Sequence, residues 1–255
     1  MYATPQAQPP TVVIPLAPAT FVVIDLETGD APAEAVEQAL AGWTPPGNLK
    51  DPVKIDARRA EAVEKIRERA ALLDASPILC VALQTDRARL IFNGMDHAAP
   101  DIDGWPVLPC GDERGLLLAL RAWLDTHTTA ETVIVGHNLQ GFDLPKLRHA
   151  YVRHSLRLPA LLKPKLRDEE KAEVVDTMRL FKAFSMEHRD DYAIALDTVA
   201  ASLGIPRPKQ YMTGADCPRL FREGQVQTVL TYCAVDVATT ARAYQLMTAQ
   251  AVDLE

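Results

Sequence analysis

A chain of 255 residues that is 48% apolar and 24% charged has enough hydrophobic material for one large α/β domain, or two small ones, with a full core. Its formal charge of −7 argues against non-specific phosphate binding by the surface as a whole, while leaving room for nucleic acid held by a local basic stripe or by metal ions. Four cysteines without a C-x-x-C pair argue against a zinc framework or a disulfide scaffold and suit a reducing cytosol. No apolar run approaches the roughly 18 residues that a membrane span needs, and no signal core opens the chain, so a soluble cytoplasmic protein without membrane partners is expected.

Residues 1–18 are rich in Pro, Ala and Gln and lack helical periodicity. They read as a flexible arm in which Val12-Val13-Ile14 can add a short edge strand. Residues 19–255 read as one domain. Its first element is Phe21-Val22-Val23-Ile24-Asp25-Leu26-Glu27-Thr28, whose β-branched run predicts a strand at 20–26 buried on both faces. Side chains alternate along a strand, so Asp25 and Glu27 share one face while Ile24 and Leu26 point the other way. Two carboxylates at the end of a buried strand repel each other and resist desolvation, and a divalent cation removes both penalties. The triplet alone also has an incidental reading, since Asp253-Leu254-Glu255 repeats it near the other terminus.

A helical insertion over about residues 31–75 separates this strand from the next. A short helix is expected near Ala33 to Leu40. A longer one follows, with Asp51 as N-cap and Pro52 at its first position. Val53, Ala57, Ala60, Val63, Ile66, Ala70 and Leu73 form an apolar stripe on it. The insertion reads either as a lid contributing Lys50, Lys54, Arg58 and Arg59 or as a packing elaboration with a solvated charged face. Strands near 78–84 and 88–93 make a hairpin around Asp86-Arg87, and a loop occupies 95–111. Asp112 then caps a helix bearing Leu116, Leu117, Leu120, Trp123 and Leu124. A strand at 132–135, a helix at 144–155, a strand at 173–175, a helix at 195–203 and a long helix at 225–249 complete an α/β domain on a mixed sheet.

Two further acidic sites follow. Strand Val133-Ile134-Val135 opens into Gly136-His137-Asn138-Leu139-Gln140-Gly141-Phe142-Asp143-Leu144-Pro145, where Asn138 also reads as a turn residue and Asp143 as a helix N-cap. On the last helix Tyr232 and Asp236 share a face at the edge of an apolar stripe of Val226, Val229, Cys233, Val237 and Tyr244.

Taken together, Asp25-Leu26-Glu27-Thr28, the N-x-x-x-F-D-x-P segment from Asn138, and Tyr232 with Asp236 resemble the DEDD superfamily of 3′-to-5′ exonucleases, which has the ribonuclease H-like fold. The second motif looks most like the exonuclease domain of B-family DNA polymerases, and the whole resembles stand-alone proteins predicted to be related to that domain. Val175-Asp176-Thr177 and Leu196-Asp197-Thr198 before Gly204 agree with it. The histidine branch of the superfamily carries His five residues before the last Asp. Position 231 is Thr, and the Tyr of the tyrosine (DEDDy) branch stands at Tyr232.

The resemblance implies a mixed central sheet flanked by helices and a two-metal 3′-5′ exonuclease that releases nucleoside 5′-monophosphates from single-stranded DNA 3′ ends. Asp25, Glu27, Asp143 and Asp236 would hold two Mg²⁺ or Mn²⁺ ions, with Asp25 shared. Tyr232 would orient the attacking water, because a phenol with a pKa of about 10 is better suited to positioning than to acting as a base. Leu26 would wedge against the terminal base, the Thr28 backbone would approach the 3′ hydroxyl, and Asn138 and Phe142 would support the scissile nucleotide. Replication or repair proteins would then be natural partners. Between Leu144 and Arg167 the chain carries seven basic residues and no acids (Lys146, Arg148, Arg153, Arg157, Lys163, Lys165, Arg167), which reads as a phosphate track or as a solvated helix face. Lys209 is a further candidate contact. A ribonuclease D-like exoribonuclease and a non-catalytic module that grips nucleic-acid ends or serves a polymerase remain the alternatives.

Overall fold

Strand β1, Phe21–Thr28, is hydrogen-bonded on both sides and buried on both faces, as its β-branched run requires. The computed structural model describes residues 18–164, 174–206 and 212–248, with the side chains of 67, 68 and 70 excepted. Most of the N-terminal arm, Lys165, Arg167, Lys209 and the Asp253–Glu255 triplet lie outside the described residues. β1 continues antiparallel into β2 (Ile78–Thr85) and β3 (Arg89–Asn93). The sheet is completed by β4 (Val107–Pro109), β5 (Val133–Gly136) and β6 (Val174–Asp176), in the order β4-β3-β2-β1-β5-β6. β4, β5 and β6 each run parallel to the neighbour they join, so the sheet is mixed and the domain is α/β. β4 lies within the expected 95–111 loop. Its three residues, which follow Pro106 and end on Pro109, are largely exposed and carry no alternation by which a strand shows itself.

Alternation along β1 divides the hydrophobic core in two. Phe21 and Val23 pack with Cys80, Ala82 and Ile91 under the long helix Val226–Met247. Val22, Ile24 and Leu26 pack with Val81, Leu83 and Phe92 under the helices Glu113–His127 and Asp143–Arg153. Each fully buried Val, Ile or Leu contributes about 1.5–3 kcal/mol, so a one-residue slip of β1 would forfeit several such terms and drive its acids into the wrong core. Tyr151 locks two of those helices together, its hydroxyl donating to the Leu117 carbonyl at 2.7 Å.

The insertion contains α1 (Ala33–Ala41) and α2 (Pro52–Glu68). Asp51 does cap α2, accepting the Val53 amide at 3.0 Å. The apolar stripe does not face the core, however. Val53 is 76% exposed, Ala57 and Ala60 are exposed, and α1 buries no residue, so the two helices pack on each other. The insertion leaves and rejoins the sheet at a single point, where the Gly29 amide donates to the Pro77 carbonyl at 2.8 Å. Its return segment is latched: Thr28 Oγ1 donates to the Ala71 carbonyl at 2.9 Å, and the buried Lys146 ammonium donates to the Leu73 carbonyl and to Ser76 Oγ.

The remaining helices, numbered in chain order, are α3 (Glu113–His127), α4 (Asp143–Arg153), α5 (Thr177–Phe184), α6 (Leu196–Ser202), α7 (Cys217–Arg222) and α8 (Val226–Met247). α5 and α7 are additions to the expected elements. Asp112 caps α3 as expected, accepting the Gly115 amide at 2.6 Å.

Candidate active site

β5 pairs with β1 only from Phe21↔Val133 to Val23↔Val135, so the acidic end of β1 runs on past its parallel neighbour. The chain leaves β5 by crossing close over β1. A Cβ at Gly136 would stand 3.1 Å from the Ile24 carbonyl oxygen and 2.9 Å from Leu139, so this crossing needs glycine. The next residues form a tight loop in which Asn138 takes φ +54. Asp176, at the end of β6, collects that loop: its carboxylate accepts the amides of Asn138 at 3.0 Å and Gln140 at 3.3 Å, and that of Met178 at 3.1 Å as the cap of α5. His137 bonds Thr177 Oγ1 and the Ile194 carbonyl.

The loop delivers Asp143 as the first residue of α4. It is not the helix cap, a position held by Phe142. The amides of Asp143 itself and of Leu26 on β1 lie near enough to its carboxylate to oppose the rise in its pKa, which puts it beside the strand. Asp143 is 2% exposed, and its Oδ1 has no hydrogen-bond partner. Asp25 and Glu27 project onto the same sheet face as Val23, the face that α8 covers, and α8 presents Tyr232 and Asp236 there.

These carboxylates meet. Asp25, Glu27, Asp143 and Asp236 border one open cleft of ≈ 250 Å³, together with Tyr232, Leu26, Asn138 and Phe142. His137, Leu196 and Gly214 complete its wall; sequence reasoning did not single these out as site residues, and for His137 the only signal was its place beside Asn138. A larger depression of ≈ 590 Å³ at the other end of β1 has Asp86 as its single acid.

Burial first, then repulsion from Asp143, Glu27 and Asp236, pushes the Asp25 carboxyl well above the ordinary carboxylate range. Burial likewise raises Asp143, and lifts Glu27 to about 8 against the lowering effect of a hydrogen bond from Cys217. Such a cluster, with a fully buried and unpartnered oxygen on Asp143, fits a divalent cation that takes hard oxygen ligands. It is a candidate metal centre by its donors. The ligand atoms of Asp25, Glu27 and Cys233 lie within 4.8 Å of one another.

The structure places three of the expected contacts as follows. Thr28 is buried, does not border the cleft, and spends its hydroxyl on the insertion. Leu26 borders the cleft but is only 3% exposed and packs in the core below it. The basic run is not a continuous track among the described residues. Lys146 is buried, Arg148 donates to the Leu162 carbonyl, and Arg153 bonds the Asp74 carbonyl and Glu113. Arg157 and Lys163 are the exposed members.

Residues 112–252 match the sequence profile of a family described as a predicted 3′-5′ exonuclease related to the exonuclease domain of PolB. The chain belongs to that family. No curated protein matches it. The matched span contains Asn138, Asp143, Tyr232 and Asp236 but begins after β1, so in this family member Asp25 and Glu27 join the cleft from outside the matched span. The mixed six-stranded sheet with flanking helices is consistent with a ribonuclease H-like exonuclease domain. No helix among the described residues of this family member is long and apolar enough to cross a membrane.

Proposed function

We propose that the chain hydrolyses single-stranded DNA from its 3′ end, releasing nucleoside 5′-monophosphates, as a tyrosine-branch exonuclease using two Mg²⁺ or Mn²⁺ ions. The observation that carries the reading is the convergence of four carboxylates from β1, α4 and α8 on one cleft, with Asp143 Oδ1 buried and unpaired. Asp25, Glu27, Asp143 and Asp236 would hold the ions. When bound, the ions supply a nucleophile at neutral pH and charge stabilisation at the leaving 3′ oxygen. Tyr232 orients the attacking water through its hydroxyl, with Glu27 as second partner. Asn138 and Phe142 support the scissile nucleotide from the loop that Asp176 organises. The Thr28 backbone meets the 3′ hydroxyl, and Leu26 offers an apolar floor to the terminal base.

The test uses 5′-labelled single-stranded DNA and matched RNA, with Mg²⁺, Mn²⁺ or EDTA, beside an Asp143→Ala variant. A metal-dependent ladder shortening from the 3′ end of DNA is expected, with the variant slower by at least roughly 10²–10³-fold. Preference for RNA would move the protein to the exoribonuclease class with the same site. Binding without cleavage of either would replace catalysis by end recognition.

A further inference from the structure

The proposed hydrolysis makes no use of the thiols packed under the carboxylates. Cys217 Sγ donates to Glu27 Oε2 at 3.1 Å, and Cys233 Sγ lies 3.5 Å from Asp25 Oδ2. Cys80, directly opposite Glu27 on β2, is fully buried behind them. A thiol is a weak donor, so these contacts leave buried carboxylates under-satisfied. The separation of Cys233 from Asp25 has a second meaning. A tetrahedral ion with a sulfur arm of about 2.3 Å and an oxygen arm of about 2.1 Å places those two ligands about 3.6 Å apart. Glu27 closes the same group, all within 4.8 Å, whereas Cys217 falls outside it. Asp143 Oδ1, buried and without a partner, borders the same cleft, an independent sign that the cleft is built for a cation.

We propose that Asp25, Glu27 and Cys233 form a sulfur-containing site for a soft divalent cation, zinc or cadmium, which borrows Asp25 and Glu27 from the hard-ion site and thereby silences it. Mg²⁺ takes oxygen ligands and ignores the thiol; zinc and cadmium take the thiolate in preference. The ion replaces the Cys233 thiol proton, which leaves to the buffer, and one metal–sulfur bond forms. The silencing, though not the binding, rests on the exonuclease reading.

The experiment titrates Cd²⁺ into the metal-stripped full chain, kept reduced without added thiols, and follows the ultraviolet thiolate-to-cadmium charge-transfer band. Mg²⁺-dependent shortening of labelled single-stranded DNA is measured on the same samples. A saturating band at one Cd²⁺ per chain is expected. It should persist in Cys217→Ser and vanish in Cys233→Ser, with affinity falling by roughly 10–100-fold or more. Circular dichroism checks each variant's fold. Should Cys233→Ser misfold, cadmium NMR of the unmodified chain decides, a shift for one sulfur among oxygens supporting the site and an all-oxygen or all-sulfur shift overturning it. No band, or a band surviving in folded Cys233→Ser, also overturns it. A Cys233-dependent band without any Mg²⁺-dependent cleavage leaves the soft-ion site standing and removes the exonuclease reading. Cleavage that saturating Cd²⁺ leaves unchanged removes the silencing alone.

Discussion

Asp176 touches no reacting atom in the proposed chemistry, yet three amides converge on its carboxylate, two from the loop that carries Asn138 and one from α5. It is 4% exposed, so losing the carboxylate leaves the buried Met178 amide and the part-buried amides of Asn138 and Gln140 without their acceptor. Asp176→Ala should therefore cost about 2–3 kcal/mol in urea unfolding. Because the loop sets where α4 begins, it should also slow hydrolysis by roughly 10–100-fold. A stability loss with an unchanged rate would mean that Asp143 is held by β1 alone. The acids themselves were legible in the sequence, because Asp25 and Glu27 interrupt a β-branched run and Tyr232 and Asp236 share a helix face. Cys217 and Cys233 were not legible as neighbours of those acids. They are distant from β1 along the chain, and no local pattern records which thiol folds onto which carboxylate.

Among elements, α4 shows why a run of basic residues is ambiguous. Lys146 reads as a phosphate contact by charge, but one turn into α4 its side chain enters the interior and binds the carbonyl of Leu73 and Ser76 Oγ. Burial lowers its ammonium to about 8. Arg153 and His154, at the end of the same helix, both reach Glu113 at the start of α3, and Glu113 also accepts the Ile78 amide that begins β2. The chain spends cations here on fastening α4, α3 and the insertion's return. Lys146→Met should lower stability by about 1.5–3 kcal/mol, read by thermal unfolding, and leave the salt dependence of DNA binding unchanged. A phosphate contact would instead reduce the slope of log affinity against log salt by about 0.7. α2 carries the complementary lesson. Its cap was readable from Asp51-Pro52, whereas the destination of its apolar stripe depends on whether a partner surface exists, which periodicity does not encode.

The whole molecule carries the burial of its cleft carboxylates, and their mutual repulsion, as a pH dependence. Glu27 is raised from an ordinary 4.5 to about 8, and Asp25 and Asp143 are raised as well. Between those values the folded chain binds more protons than the unfolded one. Stability of the ion-free protein therefore falls as pH rises through that window. An ion that binds only the folded state restores it, and restores more where the carboxylates are ionised. Melting temperatures in EDTA should be lower at about pH 8 than at about pH 5.5, and the gain from Mg²⁺ should be larger at the higher pH. A melting temperature independent of pH in EDTA would show that the carboxylates do not share one buried site.

The meeting of Gly29 with Pro77 has a further consequence. Seen from the sheet, everything between these residues is a single closed loop whose two ends are already joined, and the latch to Thr28 and Lys146 lies on its return side. Closing a longer loop at such a junction costs only about 0.6 kcal/mol per doubling of length. α1 and α2 thus behave as a cartridge held in a fixed socket. Their length and content are free to change between Asp30 and Arg69, and the strand that bears Asp25 and Glu27 keeps its register through such an exchange.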